Sequence, residues 1–229
     1  MFYEPSKRNH GLPHDPFKSL IIPRPIGWIS TIGLDGVVNL APYSHFNICA
    51  MDPHAVMFSS GTKMFPFGTP PDVERRKDSQ RNAEDTGEFV VNITSYDLLT
   101  QMNLSSAPVP ASVSEVALTK LKTAPSINVK PPRIAESPVQ LECKHMMTIV
   151  MPSPSAGSDR NSIVIGQVVG VHIADHVITN GMVDVRKIRP VARLGYMQYA
   201  VIDEAFTMLR PQWPEEETET RPALNAVPS

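Results

Sequence analysis

Along most of the chain the hydrophobic residues alternate with polar ones or run without interruption, and both patterns are typical of β-strands. Two of these segments flank the turn Leu34-Asp35-Gly36 and are predicted to form a hairpin. Two longer ones flank a small, polar loop at residues 153–160 and predict a second, larger hairpin. The predicted strands cover residues 26–32, 37–41, 46–51, 54–60, 88–94, 139–151 and 162–173.

Helical patterns are short and few. Residues 78–86 form the clearest predicted helix, with Asp78 as the expected N-cap and Gly87 as the residue that ends it. Residues 96–103 and 112–121 predict two more. Proline makes up 23 of the 229 residues, about twice its usual share, and its positions between the segments exclude long helices. Many strands with few helices predict a β-barrel that carries peripheral helices.

Composition and charge favour a soluble, cytoplasmic protein. Charged residues make up 19% of the chain and the net charge is −2, so no basic surface points to nucleic acid. No stretch approaches the roughly 18 uncharged apolar residues that span a bilayer, and the N-terminus lacks the pattern of a signal peptide. Cys49 and Cys143 are expected to be reduced thiols. We therefore expect neither nucleic acid nor a membrane as a partner.

The C-terminal tail differs in composition from the rest of the chain. Residues 211–229 hold four glutamates, one arginine and four prolines, which gives a charge of −3. Few large apolar residues accompany them, as is typical of mobile segments, although Trp213 could pin the start of the tail to the body. The sequence therefore predicts a single domain at residues 1–210 and an acidic, proline-rich mobile tail at residues 211–229.

Several common cofactor and metal motifs are absent from the sequence. It has no G-x-G-x-x-G after a strand, no G-x-x-x-x-G-K-[ST], no C-x-x-C and no H-E-x-x-H. The seven histidines are scattered along the chain. Neither a Rossmann fold nor a metal site is therefore predicted.

Three short segments could bind a ligand. The predicted helix opens with Lys77, Asp78 and Ser79, and the free N–H groups at a helix start favour an anion. Because Asp78 would repel a phosphate, a capped surface helix is the favoured interpretation of this segment. PRPIGWIST presents a tryptophan and two hydroxyls that suit a flat ring with a polar tail, and a core tryptophan is an equal alternative. APYSHFN would break a strand and free backbone groups for a ligand, with a plain strand bend as the slightly favoured alternative.

Taken together, seven segments in order resemble the flavin reductase-like FMN-binding family. They span about residues 15–202 and read PRPIGWIST, NLAPYSHFN, DPHAVMFSSG, RKDSQRNAEDTGEFVVN, VKPPRIAESPVQLEC, NSIVIGQVVGVHI and IRPVARLGYMQYAVI. The resemblance implies an antiparallel, Greek-key split β-barrel and a homodimer that binds FMN near the subunit interface. One departure from the family pattern is a Met-, Phe- and Pro-rich insertion at residues 62–76, which could cover the site.

The resemblance also implies a set of cofactor-binding residues. Those along the flavin and its ribityl-phosphate would be Trp28, Ser30 and Thr31. Those at the isoalloxazine ring would be Ser44, His45, Phe46 and Asn47, and those at the neighbouring strand end Ser59, Ser60 and Gly61. The phosphate would be held by Lys77, Asp78 and Ser79, which reverses the preference drawn from the local sequence. Lesser candidates, for which a structural role is an equal alternative, are Arg24, Asn82, Arg193 and Tyr196.

The activity implied by the resemblance is that of an NAD(P)H-dependent flavin reductase. NAD(P)H would dock transiently on the flavin and pass hydride to FMN, so no side chain need act as a catalytic acid or base. The reduced flavin would serve a separate flavin-dependent monooxygenase. A non-enzymatic FMN carrier or electron-transfer protein is the alternative, and a β-barrel that has lost its flavin is a third interpretation.

Overall fold

The computed structural model describes residues 1–63, 74–152 and 161–211 of the chain. Its strands are β1 (Arg24–Pro25), β2 (Gly27–Ile32), β3 (Val38–Tyr43), β4 (Phe46–Met51), β5 (His54–Ser60), β6 (Glu88–Ile93), β7 (Thr123–Ala124), β8 (Arg133–Ile134), β9 (Val139–Val150), β10 (Ser162–Ile173), β11 (Ile178–Thr179), β12 (Met182–Val183), β13 (Val191–Arg193) and β14 (Tyr199–Val201). Its α-helices are α1 (Phe17–Leu20), α2 (Asp78–Thr86), α3 (Leu99–Leu104), α4 (Glu115–Thr119) and α5 (Val185–Ile188), and 3-10 turns cover Pro5–Lys7, Tyr96–Leu98 and Asp175–Val177. The predicted fold class, mainly β with a few short helices, is confirmed.

One antiparallel sheet of seven strands, in the order β3-β2-β6-β9-β10-β5-β4, dominates the fold. β9 and β10 form the large hairpin predicted from the sequence, with Ser162 opposite Val150 and Ile173 opposite Val139. The sheet curls until β3 contacts β5, although these two strands are not hydrogen-bonded neighbours. The sheet is therefore a barrel with an open seam. A small sheet of order β1-β13-β14 brings the two ends of the chain together.

Two hydrophobic cores lie on opposite faces of the large sheet, because successive side chains of a strand point to opposite faces. The core inside the barrel contains Ile29, Phe58 and Phe89, and Ala83 of α2 closes one end of it. The outer core contains Trp28 of the same strand, and it packs against α3 and α4. Helix α2 is therefore a plug of the barrel, and α3 and α4 are peripheral.

Several boundaries differ from the predictions, and the clearest cases are the end of β3, the N-cap of α2 and the helix predicted at 112–121. β3 continues through Pro42 to Tyr43 instead of ending at residue 41, because β3 is an edge strand, where proline costs no ladder hydrogen bond. Lys77, not Asp78, is the N-cap of α2, and Asp78 is the first helical residue. The helix predicted at 112–121 is only Glu115–Thr119, since the backbone is extended before it and left-handed after it.

Several expectations fall outside the residues that the structure describes. These are the polar loop at 153–160, the centre of the 62–76 insertion at residues 64–73, and the tail beyond residue 211 with Trp213. At the base of the insertion, Thr62 and Arg76 pair in an antiparallel bridge. Within the described ranges, no helix has the length and apolarity needed to cross a membrane. Both cysteines are free, as expected, Cys49 exposed and Cys143 buried.

Candidate functional site

A cavity of about 660 Å³ lies where the small sheet meets the seam of the barrel. Sites for small molecules and cofactors commonly enclose about 300–1,000 Å³. Its walls come from distant parts of the chain, which are the N-terminal segment, β1, the turn between β3 and β4, the end of β5, the start of α2, the end of α3, the residue before β10, and β13 and β14 with the loop between them. The topology of the fold, and not one local motif, therefore builds the cavity.

Eight of the predicted cofactor-binding residues line this cavity. They are Arg24, Ser44, His45, Ser59, Gly61, Lys77, Arg193 and Tyr196. They include three of the four lesser candidates and one residue of the predicted phosphate segment. The structure thus brings together residues that lie up to 172 positions apart in the sequence, from Arg24 to Tyr196.

The residues predicted to lie along the flavin instead have their side chains inside the protein. Trp28 is completely buried in the outer core, where its indole N–H donates to Ser105 Oγ at 2.9 Å. Ser30 is also fully buried and donates to the Pro132 carbonyl oxygen at 2.7 Å. Their neighbour Thr31 points the other way, under α2. Of the two alternatives for PRPIGWIST, the structure therefore has the core tryptophan.

Thr31 and Asn82 form a buried link between β2 and α2. The Asn82 side-chain amide donates to Thr31 Oγ1 at 3.1 Å. Both side chains are at least nine-tenths buried and neither lines the cavity. Their bond fixes how α2 sits on the barrel, so they determine where the start of that helix lies.

Phe46 and Asn47 also lie away from the cavity. Phe46 is buried in the barrel core, and its ring lies over Gly27 so closely that a Cβ there would be 2.6 Å from it. Asn47 is exposed, and its side-chain oxygen accepts from the N–H of Ile48 at 2.8 Å. Of the ring-contacting segment predicted at residues 44–47, only the first two residues therefore reach the cavity.

Tyr43 connects the cavity to the buried start of α2, although it is not among the cofactor-binding residues predicted from the sequence. Its hydroxyl hydrogen-bonds to Ser79 and Ser60, both buried behind the cavity wall, and burial raises the pKa of Tyr43 to about 12. Ser79 Oγ also accepts from the side-chain amide of Asn39 at 2.8 Å. Ser60 and Ser79 thus support the wall and do not line it. The one feature of the sequence that could have indicated Tyr43 is its position inside the segment NLAPYSHFN.

Asp78 is held by cations at the start of α2. Its carboxylate lies 2.9 Å from Lys63 Nζ and 2.9 Å from Arg81 Nη1. These two ion pairs offset the negative charge that, in the sequence, argued against a phosphate at this helix. Lys77, which lines the cavity, is therefore left as the charge that a ligand meets there.

The cavity is strongly cationic. Among the described residues that line it, Lys18, Arg24, Lys77 and Arg193 are positive, and Asp15 is the one carboxylate. His45 adds no charge at neutral pH, because burial and the nearby charges of Arg24 and Lys18 lower its pKa. Within the described ranges, no three histidine, cysteine or acidic side chains are grouped as they would be around a metal ion. The arrangement suits an anionic organic ligand.

Comparisons with known proteins agree with this geometry. A family model described as a flavin reductase like domain matches residues 19–192. An uncharacterized protein of Halalkalibacterium halodurans is 36% identical over 191 residues, which cover 83% of this chain and 87% of that protein. Nitrilotriacetate monooxygenase component B from Bacillus cereus superposes with a TM-score of 0.80 at 30% identity, over 91% of this chain and 98% of that one.

A second solved structure is similar in fold alone. It is a protein from Shewanella frigidimarina with a split barrel domain, and it superposes with a TM-score of 0.69 at 21% identity, over 93% of this chain and 94% of that one. The barrel with an open seam is thus a split barrel, which confirms that part of the predicted fold.

Proposed function

Since this chain belongs to the family of flavin reductase-like domains, we propose that it is an oxidoreductase that takes FMN in the cavity and reduces it with NAD(P)H. The observation that carries the proposal is the charge of that cavity, with four cationic side chains against one carboxylate among the described residues that line it. FMN and NAD(P)H both combine a flat ring with phosphate groups, and a partly open cavity of about 660 Å³ with this charge suits ligands of that kind.

The phosphate of FMN would be held at the start of α2. The first N–H groups of this nine-residue helix have no partner within the helix, and its dipole favours an anion at that end. Lys77 adds a full positive charge on the cavity wall. The bonds of Ser79 to Tyr43 and Asn39 keep the start of the helix in place, so these three residues position the phosphate site.

The flavin ring would lie against the turn between β3 and β4. Ser44 and His45 line the cavity there, and their backbone can offer N–H and C=O groups to ring heteroatoms. The bound flavin supplies the hydride-accepting chemistry, so the protein need only orient it and exclude competing reactions. His45, neutral because its pKa is lowered, can donate or accept a hydrogen bond without changing the charge of the site.

A second copy of the chain would border the site in this proposal. Apolar residues face outward at matching positions of three strands, where Ile165 lies opposite both Met57 and Met147, and Ile163 lies opposite Ile149. Met147 and Ile149 are 51% and 45% exposed, and such an exposed apolar strip is typical of an interface. Ser59, which lines the cavity, lies opposite Ile163 and continues the strip toward the site.

Light scattering tests the proposed homodimer. The wild-type protein should have the mass of two chains, and Ile149→Glu should have the mass of one because a carboxylate would be buried without a partner. Leu34→Glu is the matched control, since Leu34 is 81% exposed in the turn after β2. A wild-type protein that stays monomeric at working concentration would contradict the homodimer.

The reduced flavin would leave for a separate flavin-dependent monooxygenase. The 30% identity to a protein described as a monooxygenase component supports this choice of partner. The alternative, an FMN carrier or electron-transfer protein, would share the fold and the cavity and differ in turnover. The two free cysteines support the further proposal of a cytoplasmic location, where thiols stay reduced.

Spectroscopy and turnover test the proposed activity. After incubation with FMN and removal of unbound flavin by gel filtration, the purified protein should show a flavin absorption band that bleaches when NADH or NADPH is added without oxygen. With excess free FMN a reductase gives many turnovers, whereas a carrier gives a single stoichiometric reduction. Absence of a band after FMN is supplied would overturn the proposal and leave a barrel that has lost its flavin.

A variant of Lys77 tests the phosphate site. Lys77→Gln should weaken FMN binding about 10-fold or more, since a charge-assisted hydrogen bond to phosphate contributes about 1.5–3 kcal/mol. The matched control is Lys122→Gln, because Lys122 is exposed and does not line the cavity. Titration of riboflavin, which lacks the phosphate, should give the same affinity for both variants and the wild type. Equal losses for FMN and riboflavin would contradict a phosphate contact.

A further inference from the structure

We propose that Arg24 and Arg193 form a second anion subsite in the cavity, separate from Lys77, which binds the phosphate groups of a pyridine dinucleotide. The inference rests on the proposed function, because it names the groups that would hold the electron donor while FMN occupies the start of α2. The two arginines belong to β1 and β13, and Lys77 precedes a helix on another part of the wall. The small sheet and the start of α2 thus each contribute their own cations to the wall.

The two arginines lie opposite each other, and neither forms an ion pair with a carboxylate of the described residues. Arg24 lies directly opposite Arg193 in the ladder of β1 and β13, and both line the cavity. Like charges directly opposite on neighbouring strands destabilise a sheet. In the described part of the chain, neither arginine has an acidic side chain within 4.0 Å. Burial and the charge of Arg193 lower the pKa of Arg24, as an uncompensated pair requires.

Neutral oxygens hold both guanidinium groups in place. Arg24 donates to the carbonyl oxygens of Ile21 and Leu194, each at 2.8 Å, and also to that of Lys18. Its Nε atom is buried and has no hydrogen-bond partner among the residues that the structure describes. Arg193 donates to the Tyr199 hydroxyl and lies 4.5 Å from the centre of that ring. These contacts fix the orientation of the two groups but do not neutralise their charge, so an anion would complete the site.

An aromatic side chain beside the arginines narrows the class of anion. Arg193 also donates to the carbonyl oxygen of Tyr196, whose ring is on the cavity wall and is 51% exposed. Tyr196 has a φ of 50°, a strained backbone conformation for a residue with a large side chain. Lys18, whose carbonyl oxygen accepts from Arg24, adds a third cation to the wall. Cations that bind phosphate next to an exposed ring that can stack on a base are the combination that a nucleotide needs.

Besides FMN, the proposed function requires one more nucleotide, the electron donor NADH or NADPH, and we assign it to the arginines. NADH and NADPH carry a pyrophosphate and an adenine, and NADPH carries a further phosphate on the adenosine ribose. A donor anchored at the arginines would extend its nicotinamide into the same cavity toward the flavin. The absence of a Rossmann motif does not oppose this arrangement, since arginine side chains and not a glycine-rich turn would hold the phosphates.

Binding measurements on two variants test the inference. Calorimetry with NADP+ and NAD+, on protein already loaded with FMN, measures dinucleotide affinity without turnover, and quenching of flavin fluorescence measures FMN affinity. Arg193→Gln should raise the dissociation constant of the dinucleotide about 10-fold or more and leave that of FMN within about twofold. Lys18→Gln should raise the dissociation constant of the dinucleotide about threefold, and it carries no risk to folding because Lys18 is exposed. Arg193→Lys should recover part of the affinity, and Lys122→Gln should change neither constant.

The outcomes distinguish a failure of the arginine subsite from a failure of the proposed function. A larger loss for NADP+ than for NAD+ assigns the arginines to the ribose phosphate, and equal losses assign them to the pyrophosphate. FMN affinity that falls as much as dinucleotide affinity would overturn the inference, because the arginines would then hold the flavin. Wild-type protein that binds FMN but no dinucleotide would overturn it while leaving the flavoprotein intact. Wild-type protein that binds no FMN would refute the proposed function, and the same titrations without FMN would still test the subsite.

Discussion

Replacing Trp28 by phenylalanine separates a structural tryptophan from one that contacts the flavin. The side chain is completely buried in the outer core, and its N–H donates to Ser105 Oγ at 2.9 Å. Phenylalanine removes two ring carbons, which cost about 1.6 kcal/mol at about 0.8 kcal/mol each. Loss of the hydrogen bond costs about 1 kcal/mol more. Trp28→Phe should therefore lower the free energy of unfolding by about 2.5 kcal/mol.

The same variant should bind FMN as the wild type does, within about twofold, at a temperature where both are folded. The assay is urea unfolding followed by circular dichroism, together with the quenching of flavin fluorescence by the protein. Tyr96→Phe is the control, since Tyr96 is 45% exposed and the change should cost less than about 0.5 kcal/mol. If FMN affinity fell 10-fold or more while stability stayed the same, Trp28 would face the ligand and the assignment to the core would be refuted.

Three further predictions follow from buried groups. Gly27→Ala should lower the free energy of unfolding by about 1–3 kcal/mol in a urea titration, because the added Cβ would lie 2.6 Å from the buried ring of Phe46. An unchanged free energy of unfolding would mean that the ring can move aside. Burial raises the pKa of Glu115, so the contribution of this carboxyl group to stability is present below the ordinary glutamate pKa and is lost as the pH rises through the raised value. Over that pH range Glu115→Gln should therefore gain stability relative to the wild type in urea titrations. A difference in stability that stays constant with pH would contradict the burial of this carboxyl group. Cys49 is exposed, whereas Cys143 is buried with a raised pKa, so a thiol reagent should modify one cysteine in the native protein and two in urea.

Most of the fold could be predicted from the sequence because its elements are long and their signals are local. The large hairpin of β9 and β10 has 12 residues in each strand, and α2 ends at Gly87, which has a φ of 75°. By contrast, β1 and β13 have two and three residues, too few for a periodic pattern. Their pairing brings the N-terminal segment to the cavity. Lys18 is therefore not among the predicted residues, since nothing in its own neighbourhood indicates that it lines the cavity.

The candidate site was predicted less completely because a strand has two faces and the sequence does not say which one is exposed. Trp28 and Ser30 alternate with Ile29 and Thr31 as the period of two requires, but helices cover one face and the barrel interior lies under the other. The hydroxyls in that segment bond within the protein and none lines the cavity. The local sequence could not weigh the charge of Asp78 beside Lys77, because one of its ion-pair partners, Lys63, lies 15 residues earlier in the chain.

The guanidinium of Arg24 also ties the two ends of the chain to each other. It bonds to carbonyl oxygens of residues 18 and 21 on one side and of residue 194 on the other, and none of these bonds belongs to the ladders of the large sheet. Such a junction can open while the large sheet stays intact, as a local unfolding unit of low stability. A ligand that binds only the closed junction would stabilise it by mass action. Ligand binding should thus first slow amide hydrogen exchange at Ser19 and Leu194, whose N–H groups bond within these two segments, before it changes exchange in β9 and β10.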